Sequence, residues 1–282
     1  MADPEIDEGE QAQLWNGVGA KGWVELEGLM DRLFRPVEEV LVEAVVAAAP
    51  PAGARVLDVG CGTGATTVAI ARTLGPGASC TGLDVSEPML GAARARAARE
   101  GLDVRFVRAD AQRHVVDPGG VDVVASRFGV MFFDDPVAAF ANLRRATADG
   151  GSLRAVVWRS AEDNPFMSVA DEAAATVVEV PPRPVEGPGA FALADPDGTR
   201  ALLGRAGWSA VELTPLDLDC SMPEADLPDY ATRIGPLGRA LAEADDATRQ
   251  RAAEVAVPAY ERFVRGGRVH LPVACWLVRA TA

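Results

Sequence analysis

Val56-Leu57-Asp58-Val59-Gly60-Cys61-Gly62-Thr63-Gly64 decides the fold of this chain. Val56, Leu57 and Val59 form an apolar run of strand length, of the kind buried in a parallel sheet. Gly60, Gly62 and Gly64 follow at a spacing of two, which predicts a tight turn that uses positive φ and lets a ligand approach the backbone closely. From Ala65 to Leu74 the apolar residues fall at helical spacing, and Gly75 supplies the stop. A strand, a glycine turn and a helix therefore follow in order, with a ligand expected at the amino end of the helix.

Two ligand classes use such a turn. Gly60-x-Gly62-x-x-Ala65 satisfies the loose dinucleotide fingerprint, and Asp84 lies at about the expected distance beyond it. Asp58 separates the two readings. A carboxylate two residues before the first glycine repels a pyrophosphate and suits a ligand with an ammonium or sulfonium group. The segment Asp58 to Gly64 closely resembles the first motif of class I S-adenosylmethionine (SAM)-dependent methyltransferases. That resemblance implies an α/β fold, a Rossmann-like seven-stranded doubly wound sheet with an antiparallel last strand. It also implies SAM as cofactor, S-adenosylhomocysteine as product, and contacts from Asp58, Gly60, Cys61, Gly62 and Gly64.

Further motifs follow in order over residues 50 to 160. Ser79 to Val85 reads as the second strand, and Ser86-Glu87-Pro88-Met89 opens a helix with serine at the N-cap and proline in the first turn. Asp84 falls at the carboxyl end of that strand, where open α/β sheets bind ligands, and its carboxylate can accept both ribose hydroxyls. Val85 follows it, and Met89 is placed against the adenine. Val104 to Ala111 is the third strand and its exit, resembling the family's third motif, so Asp110 and the Ala111 N–H take the adenine edge. Val121 to Ser126 is the fourth strand, and the loop after it resembles the fourth motif of small-molecule methyltransferases related to the ubiquinone/menaquinone-type enzymes. Ser126 and Arg127 stand where that group often has an acidic residue or Asn, a departure that weighs against amino acceptors. Asp135 with Pro136 predicts the next helix start. Gly150-Gly151 introduces strand five, Ser152 to Trp158, with Asp149 where the family usually has proline.

The flanking segments are expected to carry the acceptor. Met1 to Gln13 is polar and acidic and reads as a frayed arm. The helices that follow are expected to cover the cofactor, giving a lid over residues 1–49, a core over 50–222, a helical cap over 223–267 and the last strand over 268–282. Leu227, Tyr230, Ile234, Leu237 and Leu241 recur at three- and four-residue steps and predict one apolar helical face in the cap. The cap connects strand six to an antiparallel strand seven, a junction on the cofactor side that a short hairpin would otherwise span. Trp15, Phe128, Met131, Phe132, Asn164, Phe166 and Tyr230 are the candidate acceptor pocket. His270, at the start of the last strand, is the candidate general base.

Composition narrows the partners. The chain has 282 residues, 49% hydrophobic and 24% charged, with a net charge of −14. That charge argues against nucleic acid, whose binders need a basic footprint. No apolar run reaches a membrane-spanning length, and the acidic opening is no signal peptide. Cys61, Cys80, Cys220 and Cys275 show no zinc or disulfide spacing, which fits reduced thiols, no metal and a cytoplasmic location. A homodimer is compatible with the sequence. The function expected is methyl transfer to a small, largely apolar acceptor, with O- or C-methylation favoured, by proximity and exclusion of water. The alternatives are a SAM-binding enzyme of the same fold without methyl transfer, of cyclase or pericyclic type, and an inactive SAM-binding partner protein.

Overall fold

A computed structural model describes residues 10–50, 52–184 and 187–282. The expected amino-terminal arm lies largely in residues 1–9, outside the described residues. Its last part is helical, because Glu10–Asn16 forms α1. Three further helices precede the sheet: α2 (Val18–Glu25), α3 (Glu27–Leu33) and α4 (Arg35–Ala48). On α4 the apolar face of Val37, Leu41 and Val45 is completely buried, as its 3.6-residue period requires.

The core then alternates strand and helix: β1 (Arg55–Val59), α5 (Ala65–Leu74), β2 (Ser79–Asp84), α6 (Glu87–Glu100), β3 (Arg105–Arg108), β4 (Val121–Arg127), α7 (Pro136–Ala146) and β5 (Thr147–Trp158). Next come α8 (Val169–Ala174), α9 (Pro196–Arg205) and β6 (Ser209–Pro223). The cap holds α10 (Leu227–Arg233), α11 (Gly235–Leu241) and α12 (Asp246–Ala256). The two-residue β7 (Val264–Arg265) and the long β8 (Arg268–Thr281) complete the order.

The sheet runs β3-β2-β1-β4-β5-β8-β6, with β7 paired to the end of β8. The β1 to β5 pairings are parallel, while β8 runs antiparallel to both β5 and β6. This is the expected seven-stranded order with an antiparallel last strand, extended by one short eighth strand. Parallel strands bury both faces, which is why Val56, Leu57, Val123, Val124, Val156 and Val157 are all at 2% exposure or less.

Local signals placed the helix starts. The Ser86 hydroxyl accepts the Met89 N–H, and the Asp135 carboxylate accepts the Ala138 N–H at 3.0 Å. Two expectations change. Strand five begins at Thr147, and Gly150 with its left-handed φ lies inside the extended segment, opposite a register shift in β4. The cap's apolar residues do not share one helix. Ile234 is extended at φ −109°, ψ 147°, and separates α10 from α11, so Tyr230 and Leu237 reach the core from two short helices.

Candidate active site

The carboxyl ends of β1, β2, β4 and β5 open into one cavity of about 400 Å³. Its walls also include residues of α1, α2, α8, α10 and α11, together with Pro184 and residues 188–191. The cavity has two ends built in different ways.

At the sheet end lies the glycine turn. Gly60 sits at φ 66°, and a Cβ there would meet the Gly129 Cα at 2.6 Å. The turn and the β4 loop are therefore in backbone contact that only glycine permits. Gly62, at φ 54°, has only the Met89 sulfur within 4 Å of a Cβ position, at 3.8 Å, and it lines the cavity. Three N–H groups of this turn are spent on β2. Gly60 and Cys61 both donate to the Leu83 carbonyl, at 2.8 and 3.0 Å. Gly62 donates to Asp84 Oδ2 at 2.8 Å. A pyrophosphate would have to displace those bonds.

Acceptors remain instead. Asp58 is 1% exposed; its Oδ2 accepts the Thr67 hydroxyl at 2.6 Å, while Oδ1 is buried without a partner. Burial pushes the Asp58 carboxyl up to about 7, against the opposing hydrogen bond from Thr67 and the nearby Arg127 charge. A buried acceptor without a donor is costly, and a ligand bringing positive charge or N–H donors relieves it. Asp84 accepts the Ser86 N–H on Oδ1 as well as Gly62 on Oδ2. Burial raises its pKa too. Its carboxylate thus braces the turn while still lining the cavity. Asp110 bends its own turn by accepting the Gln112 N–H at 2.9 Å. Val85, Met89, Ala111 and Cys61 complete this end.

At the far end the walls are aromatic. Phe128 has a left-handed φ of 65°, a strained value for a side chain of its size. Its N–H donates to the Val156 carbonyl at 2.9 Å, and its ring stacks on Trp158 at 4.2 Å with a 4° interplanar angle. Phe34 meets both rings edge-on, and Phe166 meets Trp158. Trp15 crosses from α1 to pack edge-on against Phe132 at 5.5 Å. Asn16 ties that helix to the end of β2 by donating to the Val85 carbonyl at 3.0 Å and accepting the Glu87 N–H. Met131, Tyr230 and Tyr260 also face this space.

Four sequence candidates lie elsewhere. Gly64 does not line the cavity; a Cβ on it would meet Ala93 Cβ at 2.7 Å, so its role is close packing of α5 on α6. The Ser126 hydroxyl is consumed by the backbone, donating to Val59 O at 2.8 Å and accepting from Gly129 and Val130. Asn164 clamps strand β8, donating to the Ala274 carbonyl and accepting the Ala274 N–H, both at 2.9 Å. His270 alternates with the fully buried Val269 and Leu271 and so points to the other face of β8. There it meets Asp219 at 2.9 Å, away from the cavity. Arg127 and the remaining candidates do line the cavity.

Sequence reading overlooked Phe34, Trp158, Asp171, Arg183, Arg239 and Tyr260. Trp158 could have been found by the rule that located Asp84, since both end parallel strands. The others carry no local signal. Among the described residues no group of three His, Cys, Asp or Glu is placed to hold a metal, and no helix is long and apolar enough to cross a membrane.

The sheet order is that of a Rossmann-like, methyltransferase-type fold. Residues 56–151 match the family model described as a methyltransferase domain. Nocamycin O-methyltransferase from Saccharothrix syringae is 35% identical over 133 residues, covering 45% of this chain and 46% of the relative. A demethylmenaquinone methyltransferase from Thermus thermophilus is 39% identical over 110 residues, 39% of this chain and 50% of the relative. The chain thus spans about half the length of both relatives. The crystal structure of the YcgJ protein from Bacillus subtilis shares the fold, with a TM-score of 0.56 and 17% identity over 86% of this chain and 97% of that one. The site's groups fit SAM: bonded Gly60, Cys61 and Gly62 N–H groups, a buried carboxylate with a free oxygen, and a bare Cα at Gly62.

Proposed function

We propose that the chain transfers a methyl group from SAM to a small, largely apolar acceptor, with O- or C-methylation favoured. The observation that carries this reading is the Asp58 carboxylate, buried with a free oxygen beside a glycine turn whose Gly60, Cys61 and Gly62 N–H groups are already bonded, in a cavity continuous with an aromatic chamber. Bound SAM supplies an electrophilic methyl carbon on a sulfonium, and S-adenosylhomocysteine is the product.

In this reading Asp58 and the turn at Gly60 to Gly62 hold the charged amino acid part of the cofactor. Asp84 takes the ribose hydroxyls, and Val85, Met89, Asp110 and Ala111 take the adenine. Trp15, Phe128, Met131, Phe132, Phe166 and Tyr230 enclose the acceptor, with residues 1–49 as a lid, 50–222 and 268–282 as the core and 223–267 as a cap. The aromatic walls orient the acceptor and keep water out, which is what in-line displacement chiefly requires. No histidine lines the cavity among the described residues, so we assign no general base. Burial pushes the Tyr230 pKa up, which keeps its hydroxyl protonated and makes it a donor to the acceptor.

Calorimetric titration with SAM and S-adenosylhomocysteine tests the first half of this reading, and absence of binding would defeat it. Incubation with acceptor libraries and detection of S-adenosylhomocysteine tests the second half. Acceptor consumed without S-adenosylhomocysteine would favour the cyclase or pericyclic alternative.

A further inference from the structure

The acceptor chamber is not uniformly apolar. In the corner between α8, α11 and the 181–184 segment, the Arg183 and Arg239 guanidinium groups lie near one carboxylate, Asp171. Arg183 donates through Nη2 to the Met167 carbonyl at 2.6 Å and to Asp171 Oδ2 at 3.1 Å, but its Nε is buried with no partner. Asp171 is already fully engaged, because its Oδ1 accepts the Leu237 N–H at 3.1 Å. Arg239, on α11, lines the same cavity, and its guanidinium makes no hydrogen bond or ion pair among the described residues. Burial and the neighbouring Arg183 charge pull the Arg239 pKa down, against the Asp171 charge. Among the described residues the Tyr230 hydroxyl has no hydrogen-bond partner either, whereas the Tyr260 hydroxyl donates to the Phe166 carbonyl at 3.0 Å. Arg233 at the rim is paired with Glu25 and Asp229.

This corner therefore holds unused donors and unbalanced positive charge, in a protein whose net charge is −14. Two half-buried like charges with a single counter-ion are unfavourable, and a planar oxyanion satisfies guanidinium geometry best. We infer that the acceptor carries a carboxylate-type anionic group, received by Arg239 and Arg183 with the Tyr230 hydroxyl beside them, while its apolar body lies along the aromatic wall. The inference rests on the acceptor site proposed above and names the substrate class it takes.

The test uses matched pairs that differ only in charge: 2-naphthylacetate with 2-naphthylacetamide, and decanoate with decanamide. Each is titrated calorimetrically into the full chain, with and without saturating S-adenosylhomocysteine. We expect each acid to bind about tenfold or more tightly than its amide. Arg239→Gln, which removes no side-chain hydrogen bond or ion pair among the described residues, should abolish that preference and leave amide and S-adenosylhomocysteine affinities within about twofold. Equal affinity for acid and amide overturns the inference. So does failure of both acids to bind at millimolar concentration, or a preference that survives Arg239→Gln and Arg183→Gln alike. If the acids bind through Arg239 but S-adenosylhomocysteine does not bind, the anion site stands and the methyl-transfer reading falls.

Discussion

The two ends of the cavity solve the problem of binding in opposite ways. The sheet end is made by backbone. Its geometry comes from one turn, Gly60 to Gly64, braced by the Leu83 carbonyl and the Asp84 carboxylate, and its elements are neighbours in the sheet. The far end, where we propose the acceptor binds, is made by side chains delivered from distant segments. Trp15, Phe128, Trp158, Arg183, Tyr230 and Arg239 meet there from α1, the β4 loop, β5, the 181–184 segment, α10 and α11. A backbone-built site tolerates little change and need not differ between acceptors. A side-chain-built site can be altered residue by residue, so specificity belongs at that end.

The largest effect should come from closing the backbone site. Gly62→Val places a β-branched side chain at φ 54°, inside the cavity. We expect S-adenosylhomocysteine affinity to fall by about 100-fold or more, since the strain alone is about 1–3 kcal/mol, while thermal unfolding stays cooperative. Undiminished affinity by calorimetry would remove the turn from the site. Asp84→Ala should be next, losing about 1.5–3 kcal/mol of cofactor binding, because one carboxylate both braces Gly62 and faces the ligand.

The counterpart at the other end is Asp171→Ala. It should cost about 1–3 kcal/mol of folding stability, since it frees the Leu237 N–H and leaves Arg183 without its carboxylate. Cofactor affinity should change little. A chemical denaturation series together with one titration checks both statements, and an equal loss in each would mean that the two ends are not separable.

Asp58 gives the comparison a pH signature. Its folded-state pKa, about 7, lies above the usual carboxylate range. Its contribution to the stability of the ligand-free protein is therefore complete below about pH 4 and is lost as pH rises through 7. A cationic ligand prefers the ionised form, so affinity moves the other way. SAM binding should strengthen about tenfold between pH 6 and 8. Asp58→Asn should flatten both profiles, and the difference between the two proteins cancels titration of the ligand itself. Parallel profiles in wild type and variant would show that Asp58 does not titrate in this range.

The smallest effect should come from the ion pairs joining α2 and α3 to the end and start of α10, Glu25 with Arg233 and Arg32 with Asp226, which in our reading link lid to cap. Glu25 and Arg32 are 43% and 54% exposed. Glu25→Gln should change stability by less than about 1 kcal/mol and matter less still at high salt. A larger loss in thermal scans would mean that lid and cap lock through this contact.

The sequence by itself determined the order of strands and helices, the glycine turn, the caps at Ser86 and Asp135, and the strand-end position of Asp84. Each is a property of a few consecutive residues, whose dihedral limits, period and hydrogen-bonding groups act locally. It also placed aromatic residues near the acceptor, because the loop after a parallel strand always rises on the ligand side. Only the tertiary structure decided how those groups are spent. Asp58 keeps a free oxygen because Thr67 takes the other, and the turn N–H groups are lost to β2. Asn164 turned away to Ala274, 110 positions along the chain, and His270 to Asp219 across a strand pair whose register fixed its face. Asp171 and Leu237, 66 positions apart, set the corner where Arg183 and Arg239 converge. A side chain's partners depend on which remote segments pack beside it, and no local pattern records that.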